Sequence, residues 1–311
     1  MKKIASLLLF GAAMMASAAP SFAADIIEEP PVIIEPQPPV VVQAAGGWYI
    51  RGDVDYGMMR TSGVDYDVLS SISSFDTNKL KGSFSVGAGV GYQFSDHFRA
   101  DWTLTHHFKS SFDGSTSGVC LESADGGLTS TLTGSCVSAD TSSVSIYALM
   151  ANAYVDLGNY HGFTPYVGAG IGGAHVAWGD LTNVATCTPS VGTNQCSDGA
   201  GGWGAAGGAV TQTAYVHKGI SDWRFAYALH AGASYDLMAN LKLDAGYSWT
   251  HINGGDMFRF QGLAPVHADG TGVMGKDRGI NIHEVRLGLR YQFGGYSAGG
   301  SSSYDAGPVY K

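Results

Sequence analysis

The sequence predicts an all-β protein: an eight-stranded antiparallel transmembrane β-barrel with long extracellular loops. Three observations carry this reading. From Trp48 to Phe293, eight stretches alternate apolar and small or polar residues with a period of two. The connections between them alternate strictly between short and long. Charged residues are only 14% of the chain, against roughly 25% in soluble domains, so much of the surface is expected to face something other than water.

The elements follow in order. Residues 1–23 read as a secretory signal peptide. Lys2 and Lys3 are its basic start, Ile4 to Ala16 its apolar stretch, and Ser21 and Ala23 the small residues before the cut. Removing it takes away two lysines and no acid, so the net charge of −9 becomes −11, which argues against nucleic acid as a partner. Residues 24–46 are an acidic, proline-rich arm; six of the ten prolines fall in residues 1–45, and proline cannot serve a sheet interior. No later segment has the ~20 apolar residues that a transmembrane helix needs.

The barrel is expected over residues 47–293. In the first stretch Trp48, Ile50, Val54, Tyr56 and Met58 oppose Tyr49, Arg51, Asp53 and Asp55. In the second, Phe84 to Phe94 alternate with Ser83, Ser85, Gly87, Gly89, Gly91 and Gln93. In the third, Phe98, Ala100, Trp102, Leu104 and Phe108 oppose Arg99, Asp101, Thr103, Thr105 and His107. The fourth, about Val144 to Leu157, is less regular, with Leu149, Ala151, Ala153 and Val155 opposite Asn152, Tyr154 and Asp156. The fifth opposes Val167, Ala169 and Ile171 to glycines. The sixth opposes Phe225, Tyr227, Leu229, Tyr235 and Leu237 to Arg224, His230, Ser234 and Asp236. The seventh opposes Leu241, Leu243, Tyr247 and Trp249 to Lys242, Asp244 and Ser248. The eighth opposes Val285, Leu287, Leu289, Tyr291 and Phe293 to Glu284, Arg286, Arg290 and Gln292. Each is long enough for a tilted membrane-crossing strand of ~9–11 residues.

The apolar face is assigned to the outside. The other face is mostly Gly, Ser and Thr with scattered opposite charges, a poor water-facing surface but a good filling for a narrow interior. Aromatics gather at both ends: Trp48, Phe94, Phe98, Tyr235, Tyr291 and Phe293 at one rim, Tyr56, Phe84, Phe108, Phe225 and Trp249 near the other, as in the girdles of membrane barrels. The long connections, 61–81, 110–143, 178–222 and 253–281, are then the outer loops. Both termini lie on the periplasmic side, with residues 294–311 forming a Gly/Ser-rich tail.

Four cysteines suit an oxidising compartment. Cys120–Cys136 and Cys187–Cys196 are the favoured pairs, each closing a local loop, and their spacing does not fit a metal site. Neither a metal nor a cofactor is expected. The inward ionisable set, Arg51, Asp53, Asp55, Arg99, Asp101, Arg224, Asp236, Lys242, Asp244, Glu284, Arg286 and Arg290, together with His230, could form an ion path or a plug of paired charges. We favour the plug, because eight strands enclose little more than the room that side chains fill. Arg51 and Arg99 are expected to extend across the glycine-lined second stretch. His106 and His107 with Ser110 and Ser111 match no nucleophile–base spacing, so no catalytic residue is assigned. The glycine-rich segment 197–210 lacks the lysine of a phosphate loop and reads as a flexible surface loop with an exposed Trp203.

The segments MANAYVDLG (150–158), FTPYVGAGIGGA (163–174), HAGASYDLMANLKLDAGYSW (230–249) and HEVRLGLRYQF (283–293) resemble the small eight-stranded surface barrels of Gram-negative bacteria. These include the opacity-protein and heat-resistant-agglutinin relatives and the major outer-membrane proteins of alphaproteobacteria. The resemblance covers roughly residues 47–293 and implies the outer membrane, contact with its lipid and lipopolysaccharide, and handling by the barrel-assembly machinery. In such barrels a terminal aromatic is the assembly signal; Phe293 matches it, but here a further 18 residues follow. The function expected is structural, in envelope integrity, and surface interaction with host or surface ligands through the loops. The alternative is a narrow porin for small polar solutes, and a third reading is a lipid-modifying barrel enzyme.

Overall fold

A computed structural model describes residues 46–68, 71–260 and 273–293. The signal peptide, most of the proline-rich arm and the tail lie outside the described residues. Among those described none is helical. Eight long strands carry the architecture: β1 (Gly47–Thr61), β2 (Ser83–Gln93), β3 (Phe98–Ser115), β4 (Ser130–Asp156), β5 (Phe163–Trp178), β6 (Ser221–Met238), β7 (Leu241–Ile252) and β8 (Ile280–Gln292). Each pairs antiparallel with its sequence neighbour, from β1 with β2 through β7 with β8. β8 also pairs with β1 from Tyr49↔Gln292 to Thr61↔Ile280, so the ring closes and these strands keep no free edge.

The outward face is apolar. Trp48, Ile50, Phe84, Trp102, Leu104, Leu229, Tyr235, Val285 and Leu289 are all exposed, as are Phe94, Phe98, Phe108, Phe225, Tyr291 and Phe293 of the two expected girdles. Trp249 is only half-exposed. The periplasmic turns are short. Between β4 and β5, Gly158 and Gly162 take positive φ (109° and 89°), as does His161 (57°), the only non-glycine residue among those described that does so.

The outer connections differ from the expected loops. β4 is 27 residues long and β3 is 18, against the ~9–11 needed to cross a bilayer. Both continue outward as sheet. Further strands join them: Ser117–Ser123 pairs with β4 from Ser117↔Val137 to Ser123↔Ser130, and Leu181–Thr188 pairs with β4 from Thr182↔Thr141 to Thr188↔Ser135. A separate four-stranded sheet forms from Val64–Val68, Ser71–Ser74, Gly255–Arg259 and Val273–Asp277. These paired strands form a β-structured cap on the outer ends. Trp203 is half-buried rather than exposed: it bridges to Ser197, and its ring fills the space that a side chain on Gly127 would need.

The interior has two layers, where one polar layer was expected. Along the periplasmic part of the strands the inward residues are polar or glycine. Toward the outer ends they become apolar: Met59 on β1, Phe112 on β3, Met150, Ile146 and Val144 on β4, Val176 and Trp178 on β5, Ile252 on β7, and Ile282 and Ile280 on β8 are buried in one cluster. A bulge between His107 and Ser110 resets the phase of β3, so that Phe112 points inward although Phe108 points outward.

Candidate functional site

The candidate site is the lumen with its cap. In β1 the inward parity places Tyr49, Arg51, Asp53 and Asp55 in a column. Arg51 grips Asp53 with both arms of its guanidinium, Nη2–Oδ1 2.8 Å and Nε–Oδ2 2.9 Å. Its Nη1 reaches past β2 to Asp101 Oδ2 on β3, at 3.1 Å, and donates to the Tyr154 hydroxyl at 3.1 Å. It can cross β2 because its neighbour there is Gly89: a Cβ at Gly89 would lie 3.1 Å from Arg51 Cγ. Asp101 also accepts from Tyr49 (3.1 Å) and from Asn152 Nδ2 (2.8 Å), and Asn152 Oδ1 lies 3.2 Å from His230 Nε2.

Three further knots complete the layer. Arg99 pairs with Asp156 (3.1 Å), and its guanidinium lies over the Tyr154 and Tyr166 rings, 4.1 and 4.7 Å from their centroids. Arg290 pairs with Asp244 (3.2 Å) and donates to Ser234 (2.8 Å). Arg286 pairs with Asp55 (3.3 Å), while Glu284 accepts from Ser85 (2.8 Å) and lies 3.1 Å from His107 Nδ1. Tyr166 fits because β6 and β7 oppose it with glycine; a Cβ at Gly232 or Gly246 would come within 2.7 or 2.8 Å of its hydroxyl.

The structure therefore brings Arg51, Asp53, Asp55, Arg99, Asp101, Asp244, Glu284, Arg286 and Arg290 together in the barrel interior, all buried. Three expectations need correction. Arg99 does not cross β2; it turns the other way, onto β4, because Asp156 and the Tyr154 ring supply its partners there. Asp236 and Lys242 pair with each other but sit at the periplasmic rim, partly exposed, where Asn159 Nδ2 also donates to Asp236 (2.8 Å). Arg224 belongs to the cap: its Nη1 meets Asp277 (2.5 Å) and its Nη2 donates to the Asp256 carbonyl (2.6 Å). Tyr49, Tyr154, Tyr166, Asn152 and Asp156 were absent from the ionisable set although their parity placed them inside. For the three tyrosines the signal was their bulk opposite Gly91, Gly168 and Gly232, and for Asn152 its place opposite Gly170; Asp156, opposite Tyr166, had no such signal.

In the cap both cysteine pairs, Cys120–Cys136 and Cys187–Cys196, are joined, with Cα–Cα distances of 5.4 and 6.0 Å. The two bridges pack in one cluster, and Cys136 and Cys187 are direct cross-strand partners. Glu122 ties segments together: it accepts from the Ser190 hydroxyl, the Thr133 hydroxyl (2.5 Å) and the Ser190 amide (2.7 Å). These hydrogen bonds, the Ser190 hydroxyl first, lower its pKa to about 2. Histidines and serines at the end of β3 do not assemble a nucleophile. His106 faces outward, stacked on Tyr147 (4.1 Å); His107 faces the lumen, and Ser110 donates to the Lys81 carbonyl (2.5 Å). Among the described residues no group of three or more His, Cys, Asp or Glu side chains is placed to hold a metal ion.

Known proteins match most of the chain. Residues 5–293 match the family model for the outer membrane protein beta-barrel domain. An uncharacterised protein of Brucella melitensis is 36% identical over 267 residues, covering 80% of this chain and 86% of its own length. A Rickettsia bellii protein named as a candidate adhesin is 28% identical over 249 residues (78% and 87%), and outer membrane protein PagN of Salmonella typhimurium is 27% identical over 219 (70% and 75%). Among solved structures, neisserial surface protein A aligns over 79% of this chain and 97% of its own, at 14% identity and a TM-score of 0.37.

Proposed function

The chain belongs to the outer membrane protein β-barrel domain family and resides in the bacterial outer membrane, and from that premise we propose that it is a closed barrel acting as a surface-interaction platform. The observation that carries the reading is the doubly filled interior, a layer of ion pairs followed by an apolar layer, beneath a disulfide-bonded cap. A solute path would need both layers removed. The cap gives the barrel a shaped outer surface, and the adhesin-named relatives support its use against host or surface ligands. We assign no catalytic role. We further propose the division into signal peptide (1–23), periplasmic arm (24–46), barrel (47–293) and periplasmic tail (294–311), with Phe293 as the strand-end aromatic offered to the assembly machinery.

Two measurements test this. Refolded protein in planar bilayers is expected to show no steady conductance; a stable open level would favour the narrow porin instead. Attachment of a deletion strain to host cells is expected to fall and to recover with the full chain, but not with a chain whose cap strands 117–136 are replaced by a short turn. Equal recovery by both chains would remove the cap from the function.

A further inference from the structure

Where the cap meets the apolar layer lies a cavity of about 200 Å³. Three aromatic rings and an imidazole stand around it. Tyr66 meets Phe75 edge-on at 5.5 Å, Phe75 meets Phe258 at 6.4 Å, and His217 lies 5.6 Å from Phe258. One carboxylate completes the wall. Asp140 is 1% exposed; it accepts from Ser138 (2.5 Å) and from its cross-strand neighbour Asn183 (2.5 Å).

Asp140 differs from the buried acids of the lumen. Asp53, Asp55, Asp101, Asp156 and Asp244 each meet a guanidinium, whereas Asp140 has no lysine or arginine partner among the described residues. A buried carboxylate without a cation is costly. Aromatic faces around a carboxylate are the arrangement that holds an organic cation, since the ring quadrupoles and the negative charge act on the same guest.

We propose that this cavity binds a small organic ammonium ion, of the trimethylammonium class, with its charge on Asp140 and its methyl groups against Tyr66, Phe75 and Phe258. The space is below the ~300 Å³ at which drug-sized pockets begin, so the guest must be compact. His217 does not oppose it: burial pushes the imidazole pKa down, leaving an uncharged ring. Burial also pushes the Asp140 carboxyl up, against the two hydrogen bonds that hold it ionised, and a bound cation relieves that penalty.

The guest could be free choline or the headgroup of a phospholipid. The test uses full-length refolded protein in octyl glucoside, a detergent without a choline headgroup, titrated with choline, with its neutral carbon isostere 3,3-dimethylbutan-1-ol and with glycerophosphocholine. Choline is expected to bind about tenfold or more tightly than the isostere, and Asp140→Asn to abolish that preference. Should that variant not fold, Tyr66→Leu is expected to weaken choline while leaving the isostere unchanged. Glycerophosphocholine binding as choline does would point to a lipid headgroup; its failure would point to the free cation. No choline binding up to about 10 mM, or equal binding of the isostere, overturns the proposal.

Discussion

Replacing Arg51 by alanine is the sharpest perturbation of the lumen. Its side chain holds two carboxylates at once, and the side chains of Arg51, Asp53 and Asp101 are 1%, 4% and 0% exposed, so water cannot replace the lost cation. Asp101 keeps its bonds from Tyr49 and Asn152, whereas Asp53 loses both of its charge-assisted bonds. Removing one partner of a buried pair costs about 3–5 kcal/mol, and here the loss falls mainly on Asp53. Arg51→Lys keeps a charge but not the fork and should cost about 1–3 kcal/mol. The triple change Arg51→Met, Asp53→Asn, Asp101→Asn removes the charges together and should recover most of the loss. The assay is urea unfolding of the refolded barrel followed by tryptophan fluorescence. An Arg51→Ala cost below about 1 kcal/mol, or a triple variant no more stable than the single one, would refute the reasoning. Arg51→Ala alone should not open a pore, because the apolar layer above it is untouched.

Further outcomes are expected. Phe112 is fully buried and touches Phe75 and Trp178 edge-on, so Phe112→Ala should destabilise the fold by about 3–5 kcal/mol in the same unfolding assay. Changing Cys120 and Cys136 together to serine opens a link of sequence separation 16, worth about 3 kcal/mol by chain entropy; limited proteolysis should then nick the cap while the barrel midpoint stays unchanged. Glu122 has its carboxyl held down to about 2, so its anchoring of Ser190 is present above the ordinary carboxylate range and is lost only as pH falls through the folded value. Its carboxyl carbon shift should titrate near that value, and a midpoint near the ordinary ~4.3 would remove the anchor.

The eight crossing strands and their phase were legible because lipid and lumen impose different demands on alternate residues. Phe84 to Phe94 against glycine and serine admits only one phase. The irregularity of the fourth stretch had a physical cause that the sequence could not identify: Met150, Ala148, Ile146 and Val144 are inward and apolar while Leu149 and Tyr147 are outward and apolar, so alternation disappears where both faces are apolar. The cap strands were invisible for the opposite reason. Segments such as STLTGSCVSADTSS are polar on both faces, and their pairing is set by the register of the neighbouring strand rather than by their own pattern. The inward charges were legible as a set, and the reach of Arg51 was legible through the glycine-lined second stretch that it crosses. Which way Arg99 turns depends on Tyr154 and Asp156, where ring and carboxylate together compete with the glycine gap on β2.

The two interior layers follow from a change of solvent along the same strands. Within the lipid, the outward residues must be apolar, and the space inside a narrow ring is filled by large polar side chains opposite glycine; there ion pairs act in surroundings that water hardly enters. Beyond the lipid, β3 and β4 continue into water, and outward positions become Lys109, Ser111, Asp113 and Thr141, all exposed. A sheet wetted on its outer face needs an apolar inner face to hold together, and Phe112, Val144, Val176 and Trp178 supply it. β3 and β4 thus invert their pattern from apolar-out to apolar-in along their length. The inversion is what lets one continuous sheet be a membrane barrel at its base and a water-soluble β-structure at its tip. The same apolar core, buried on the inner face of these strands, is what the proposed closed barrel rests on.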